Sequence, residues 1–239
     1  MIDVSKKYTD PVAVQGLAVG YDGDAVLEGV EFAVESGEIF VVLGGSGCGK
    51  STLLKTLIGL IPPVQGDVKI FGDSIVSGYF EAKQALMRRF GVLYQGGALF
   101  GSLSVGENVA LPMQEYTDLG REEIADRVRE KLRLVDLEGT EDRMPSELSG
   151  GMRKRAGLAR AMALEPALLF FDEPSAGLDP ITSARLDELM LKVRDETGTT
   201  MVVVTHELPS IFTIADRVLM VDRGRGQVAR QALAQRTQA

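Results

Sequence analysis

The octapeptide GGSGCGKS, Gly44 to Ser51, strings glycines around small residues and closes on a lysine and a serine. That spacing satisfies G-x-x-x-x-G-K-[ST], a loop that cradles phosphates. The glycines let backbone N–H groups curl around phosphate oxygens, and a helix starting at the end of the loop adds its dipole. Lys50 then reaches the β and γ phosphates of a nucleotide, and the Ser51 hydroxyl can ligate magnesium. A flexible surface turn is the alternative, but the strand before the loop and the helical spacing after it favour the phosphate site. Cys48, inside the loop, reads as a small filler rather than a redox sensor.

Two further stretches carry the same kind of chemistry. ALLFFDEP sets Asp172 and Glu173 at the end of an apolar strand, expected to lie beside the strand that feeds the phosphate loop. Asp172 there can hold magnesium, usually through water, and Glu173 can orient and polarise the water attacking a γ-phosphate. Without the nearby loop the pair would read as a salt-bridged or capping pair. In ELSGGMRKRAGLARAMALEP, Ser149, Gly150 and Gly151 open a helix that ends before Pro166, which makes a second anion-binding helix start. The basic run Arg153, Lys154, Arg155 reads as a solvated helix face. His206, the single histidine, follows the apolar MVVVT; alone it fits a hydrogen-bonded structural residue or a catalyst.

Positioning these residues requires an α/β frame. VAVQGLAVGY and VLEGVEFAVE alternate on either side of a DGDA turn and predict antiparallel strands. IFVVLGG, DVKIFG, FGVLYQ, ALLFF, TMVVVT and RVLMVD read as further strands, with a helix from Gly49 and another through ITSARLDELMLKVRDE. This alternation predicts a mainly parallel core sheet. Between them, Ser104 and Glu107 stand at capping-box spacing, and REEIADRVREKLRLVDL has helical periodicity, so a helical subdomain is expected from about 99 to 164.

Composition narrows the setting. The 239 residues are 45% hydrophobic and 25% charged, as in an ordinary globular chain expected to form one domain over 1–239, with a short polar tail from about 224 to 239. A net charge of −8 argues against nucleic acid as a partner. One cysteine allows no internal disulfide, the N-terminus lacks a signal-peptide pattern, and no apolar run reaches membrane-spanning length, so a cytoplasmic protein is expected.

In order and spelling these elements resemble an ATP-binding-cassette (ABC) ATPase across nearly the whole chain. The resemblance rests on the P-loop at 44–51, Gln95 at the end of a strand, LSGGM at 148–152, LLFFDE at 168–173, SAGLD at 175–179 and TH at 205–206. It implies an ABC-type fold with an N-terminal antiparallel β-subdomain and an inserted α-helical subdomain. It also implies ATP and Mg2+ as cofactors, bound by Gly44, Gly45, Ser46, Gly47, Cys48, Gly49, Lys50, Ser51 and Thr52, with Ser51, Gln95 and Asp172 at the metal. Tyr21 would stack on adenine, although a partly buried strand aromatic is the other reading. His206 is implied as a neutral imidazole contacting the γ-phosphate and positioning Glu173 and water. Two copies would pair head to tail, Ser149, Gly150, Gly151 and Met152 of one closing over the γ-phosphate of the other, with Asp179 coupling the halves.

A closer resemblance lies in GVLYQGGALFGSLSVGENVALPM, in the methionine of LSGGM and in GLDPITS. These look like the ATPase subunits of Mla/Mce-type lipid transporters, which implies an integral-membrane permease, an Mce-type lipid-binding protein and a place on the cytoplasmic side of the inner membrane. Leu99, Phe100 and Leu103 suit either a socket for a permease helix or the core of the helical subdomain. Some members carry a longer C-terminal extension that reaches a regulatory subunit. The short polar stretch after Asp222 gives no basis for expecting that contact.

Overall fold

The computed structural model describes residues 10–76 and 85–222, together with the backbone of 224–229. Its centre is a block of parallel strands: β3 (Ile39–Gly44), β6 (Phe90–Leu93), β7 (Leu168–Asp172), β8 (Thr200–Thr205) and β9 (Arg217–Asp222), ordered β9-β3-β8-β7-β6. They are nearly continuously apolar because both faces of the block are covered. Alternate side chains leave opposite faces, so Val41, Leu169, Phe171, Met201 and Val203 enter one core, and Phe40, Val42, Phe170, Val202 and Val204 the other.

β8 lies between β3 and β7, pairing Val203 with Val41 on one side and with Phe171 on the other. The expectation that the strand ending in Asp172 flanks the phosphate-loop strand is therefore corrected. All six residues of β8 are buried, and its pattern does not differ from its neighbours', so periodicity could not order the three.

The antiparallel block is β1 (Val12–Tyr21), β2 (Asp24–Val34), β4 (Gln65–Ile70) and β5 (Asp73–Ser74). β1 and β2 turn through Asp22 and Gly23, both at positive φ, the geometry a two-residue hairpin loop demands. β10 (Gly224–Ala229) runs antiparallel to β9 and parallel to β2, joining the blocks into one ten-stranded sheet among the described residues. The polar stretch expected as a tail from 224 thus begins as a sheet strand; 230–239 lie outside the described residues.

Helix α1 (Lys50–Leu57) buries Leu53, Leu54 and Leu57 in the core shared with β1, β2 and β4. The other face carries α2 (Val105–Tyr116), α3 (Arg121–Leu134), α4 (Gly150–Ala161), α5 (Pro180–Thr197) and α6 (Leu208–Ile214). α2 starts in the capping box its sequence predicts: Glu107 N–H donates to Ser104 Oγ at 3.2 Å, and Ser104 N–H donates to Glu107 Oε2 at 2.7 Å.

Candidate active site

The phosphate loop runs from the C-terminal end of β3 into α1, and Gly49 caps the helix at φ 98°, a conformation that favours glycine. A Cβ on Gly44 would lie 2.5 Å from both Cys48 Sγ and Val221 O, so the buried thiol packs on the loop's first glycine. Gly45, Ser46, Gly47 and Ser51 are exposed and Thr52 is half-buried. Lys50 is only 7% exposed, and its ammonium donates to Gly44 O at 2.8 Å and Gly45 O at 2.9 Å. These partners are weak ones for a buried cation, and a phosphate oxygen would bind it more strongly.

Beyond β7 the chain turns sharply. Glu173 sits at φ 48°, a left-handed conformation costing a non-glycine residue about 1 kcal/mol or more, and its N–H donates to Val204 O at 2.8 Å. The turn brings its carboxylate, 12% exposed, between two groups from other strands' ends. Lys50 Nζ stands 3.8 Å from Oε1, and His206 Nδ1, just past β8, stands 2.9 Å from Oε2. With Glu173 ionised, Nδ1 carries the proton of that hydrogen bond, which leaves Nε2 of a neutral ring as an acceptor.

Asp172 is half-buried, and its Oδ1 is buried without a hydrogen-bond partner. Burial pushes its pKa above the ordinary carboxylate value, Glu173 pushes it the same way, and Lys55 and Lys50 pull it down. An orphaned carboxylate oxygen beside a phosphate loop fits a divalent cation, and Ser51 offers a hydroxyl on the first turn of α1. Among the described residues no group of three or more His, Cys, Asp or Glu could hold a metal. One carboxylate, one hydroxyl and phosphate oxygens make a donor set that suits magnesium, which keeps much of its hydration.

Gln95 is exposed, but β6 stops at Leu93; Gln95 sits two residues on, in a turn closed by Gly97 N–H to Tyr94 O at 2.8 Å. Tyr21 is exposed at the tip of β1. Ser149 caps α4, its Oγ accepting from Met152 N–H at 3.3 Å; Ser149 and Gly150 are exposed, Gly151 is buried and Met152 is half-buried. Asp179 caps α5, accepting from Ile181 and Thr182 N–H at 3.0 Å each, and those bonds with Thr182 Oγ1 lower its pKa. The chain thus brings Lys50, Glu173 and His206 together beside Asp172, whereas Ser149–Met152 and Asp179 begin separate helices.

The sequence profile of the family described as "ABC transporter" matches residues 27–176. The chain belongs to that family. It is 41% identical over 191 residues to the intermembrane phospholipid transport system ATP-binding protein MlaF of Escherichia coli K12, covering 80% of this chain and 71% of that protein. It is 42% identical over 212 residues to the probable ribonucleotide transport ATP-binding protein mkl of Mycobacterium leprae, covering 89% of this chain. That match spans 61% of the mycobacterial protein's own length. Among solved structures, cbiO1 of Clostridium perfringens, part of an ABC transporter complex, superposes with a TM-score of 0.86 at 27% identity, covering 95% of this chain and 90% of that one. A dimeric ATP-binding cassette in a post-hydrolysis state, bound to ADP and Pi, superposes with a TM-score of 0.82 at 28% identity, covering 92% and 99%. The fold is thus the α/β ABC cassette with its mainly parallel core sheet.

The structure changes the reading of the basic run and of the apolar loop. Lys154 is 5% exposed, not solvated, and its ammonium bonds to backbone oxygens of the segment after Glu173. Arg153 donates to Leu148 O and Arg155 to Asp136 O, each at 3.0 Å. A signal was available, because Gly151, Lys154 and Leu158 form one buried helical stripe. In the loop, Leu99 packs on the core, Leu103 is half-buried, and Phe100 stands 52% exposed near the Arg160 guanidinium. Asn108, unmarked in the sequence, is fully buried and ties this loop to α2: its Oδ1 accepts from Phe100 N–H at 2.8 Å and its Nδ2 reaches Phe100, Leu103 and Ser104 oxygens at 2.9–3.1 Å.

Proposed function

We propose that this chain is the ATP-binding and ATP-hydrolysing subunit of a membrane transporter that moves phospholipid between membranes of a cell envelope. The observation that carries the ATPase reading is Glu173, held by His206 on one oxygen and near Lys50 on the other, beside the unpaired Asp172 oxygen. Lys50 exchanges its loop carbonyls for β and γ oxygens of ATP, while the N–H groups of 44–51 and the start of α1 surround the phosphates. Ser51, Asp172 and Gln95 would hold Mg2+, which would neutralise charge on the phosphates. Glu173 accepts a proton from the attacking water, and His206, as a neutral imidazole, fixes the carboxylate and stands beside that water and the γ-phosphate. Tyr21 stacks on adenine.

A second copy supplies Ser149, Gly150, Gly151 and Met152 to the same γ-phosphate in a head-to-tail pair, with Asp179 coupling the halves and the 99–164 segment acting as the helical subdomain. Exposed Phe100, on a loop fastened by Asn108, is the contact offered to an integral-membrane permease. Among the described residues no helix is long and apolar enough to cross a membrane. A peripheral position on the cytoplasmic side of the inner membrane, held by the permease, and an Mce-type lipid-binding protein in the complex complete the reading.

The phospholipid cargo is supported by the likeness to MlaF and by the local spellings around Gln95, LSGGM and GLDPITS. The relative mkl, named for ribonucleotide transport, makes ribonucleotide the competing cargo. Purifying the tagged full-length chain in mild detergent tests both. A copurified permease, phospholipid in the complex and magnesium-dependent ATP turnover that EDTA abolishes are expected. Ribonucleotide in place of lipid would overturn the cargo, and no ATP turnover by the assembled complex would overturn the function.

A further inference from the structure

Lys154 stands on α4, the helix that Ser149 caps, and points its ammonium into the segment after β7. It donates to the carbonyls of Pro174 and Ala176, the latter at 2.7 Å, and lies 3.4 Å from the carbonyl of Glu173. Among the described residues it makes no salt bridge. Burial lowers its pKa, and Glu207 and Glu173 act from a distance to keep its charge. A desolvated cation satisfied by carbonyl dipoles is expensive to keep unless it fixes something.

What it fixes is the backbone around Glu173. That residue holds a left-handed φ of 48°, and the turn is what carries its carboxylate out of the strand line to His206 and Lys50. Strained conformations persist where the surroundings over-determine them. Here the Glu173 N–H is fastened to β8 through Val204 O, and the carbonyls just beyond are gathered by Lys154.

We infer that Lys154 is a positioning residue: by gripping the carbonyls of Pro174 and Ala176 it holds the Glu173 turn, and it makes α4 the element that aims the water-orienting carboxylate. The inference rests on the role proposed for Glu173 and deepens it. α4 begins with Ser149, Gly150 and Gly151, so the helix offered to a second copy's nucleotide also grips, one turn further on, the backbone turn that carries the Glu173 carboxylate of its own chain.

The test is steady-state ATP turnover by Lys154→Met and Lys154→Arg in the full-length chain with its copurified membrane partners, beside Glu173→Gln and a direct nucleotide-binding measurement. For Lys154→Met, kcat falls about 10- to 100-fold while KM and nucleotide affinity stay within about twofold, the signature of an interaction used in the transition state. Lys154→Arg, which keeps the cation, recovers part of the rate and so separates positioning from simple loss of packing. The inference is overturned if Lys154→Met keeps its kcat, if its loss appears as weakened ATP binding, or if Lys154→Arg is as impaired as Lys154→Met. An inactive Glu173→Gln beside a fully active Lys154→Met removes only the positioning role, whereas a fully active Glu173→Gln removes the reading of Glu173 itself.

Discussion

Lys50 and Lys154 are both nearly buried, both lie next to Glu173, and both spend their ammonium groups on backbone carbonyls. They differ in whose carbonyls these are. Lys50 bonds to Gly44 and Gly45, six and five residues back in its own loop, and meets another element only at the Glu173 carboxylate, 3.8 Å away. Lys154 bonds to residues 20 and 22 positions away, so releasing it unfastens a helix from the turn that aims Glu173. A lysine with local, replaceable partners is poised for a ligand, and one with distant partners is a clasp.

Substitutions around the two lysines sharpen this contrast, and the largest effect is expected at Lys50. Lys50→Ala removes the only cation aimed at the phosphates from that loop, and titration with labelled ATP should show affinity weakened by roughly 100-fold or more, a charge-assisted contact being lost. Affinity near that of the parent would place Lys50 with Lys154 as a structural clasp. His206→Ala should follow, with turnover in the assembled complex down roughly 100-fold and ATP binding little changed, as for loss of a group that holds the base and the water in line. Equal loss of binding would move His206 from the reaction to the nucleotide pocket.

Phe100→Asp probes a region away from both lysines. Because Leu99 packs against the core whereas Phe100 stands 52% exposed, Phe100 is the residue to change, and the variant should bind ATP normally while copurification with the permease is lost. Retained permease would exclude Phe100 from the contact. The smallest effect is expected at Asp187, 4% exposed on α5, whose pKa burial pushes up to about 6 against a hydrogen bond from Ser210. Its folded pKa lies above the unfolded 3.8, so the ionised carboxylate costs stability in full above about pH 6 and not below pH 3.8. Asp187→Asn should therefore raise stability at pH 7 by about 1–3 kcal/mol and give nothing near pH 4 in urea unfolding at the two pH values.

The same contrast explains what could be read from the sequence. The phosphate loop, the Ser104–Glu107 box and the helix start at Ser149 are contiguous, so spacing alone reveals them. The pairing of His206 with Glu173 spans 33 residues and needed the strand order, in which β8 stands between β3 and β7. Three equally apolar strands do not announce that order. Lys154 was hidden by its neighbours, since Arg153 and Arg155 make the run look solvated and only helical periodicity sets it on the stripe with Gly151 and Leu158. The left-handed turn at Glu173 leaves no local mark, because the motif supplies no glycine there.

In the proposed mechanism Glu173 works on water and not on ATP binding. The direct measurement is Glu173→Gln in the assembled complex, comparing the affinity for ATP with the turnover rate under the same conditions. Binding should be kept or tightened while turnover falls by about 1,000-fold, within the range for losing a positioned general base. ATP hydrolysis at the parent rate would exclude Glu173 as the group that activates water.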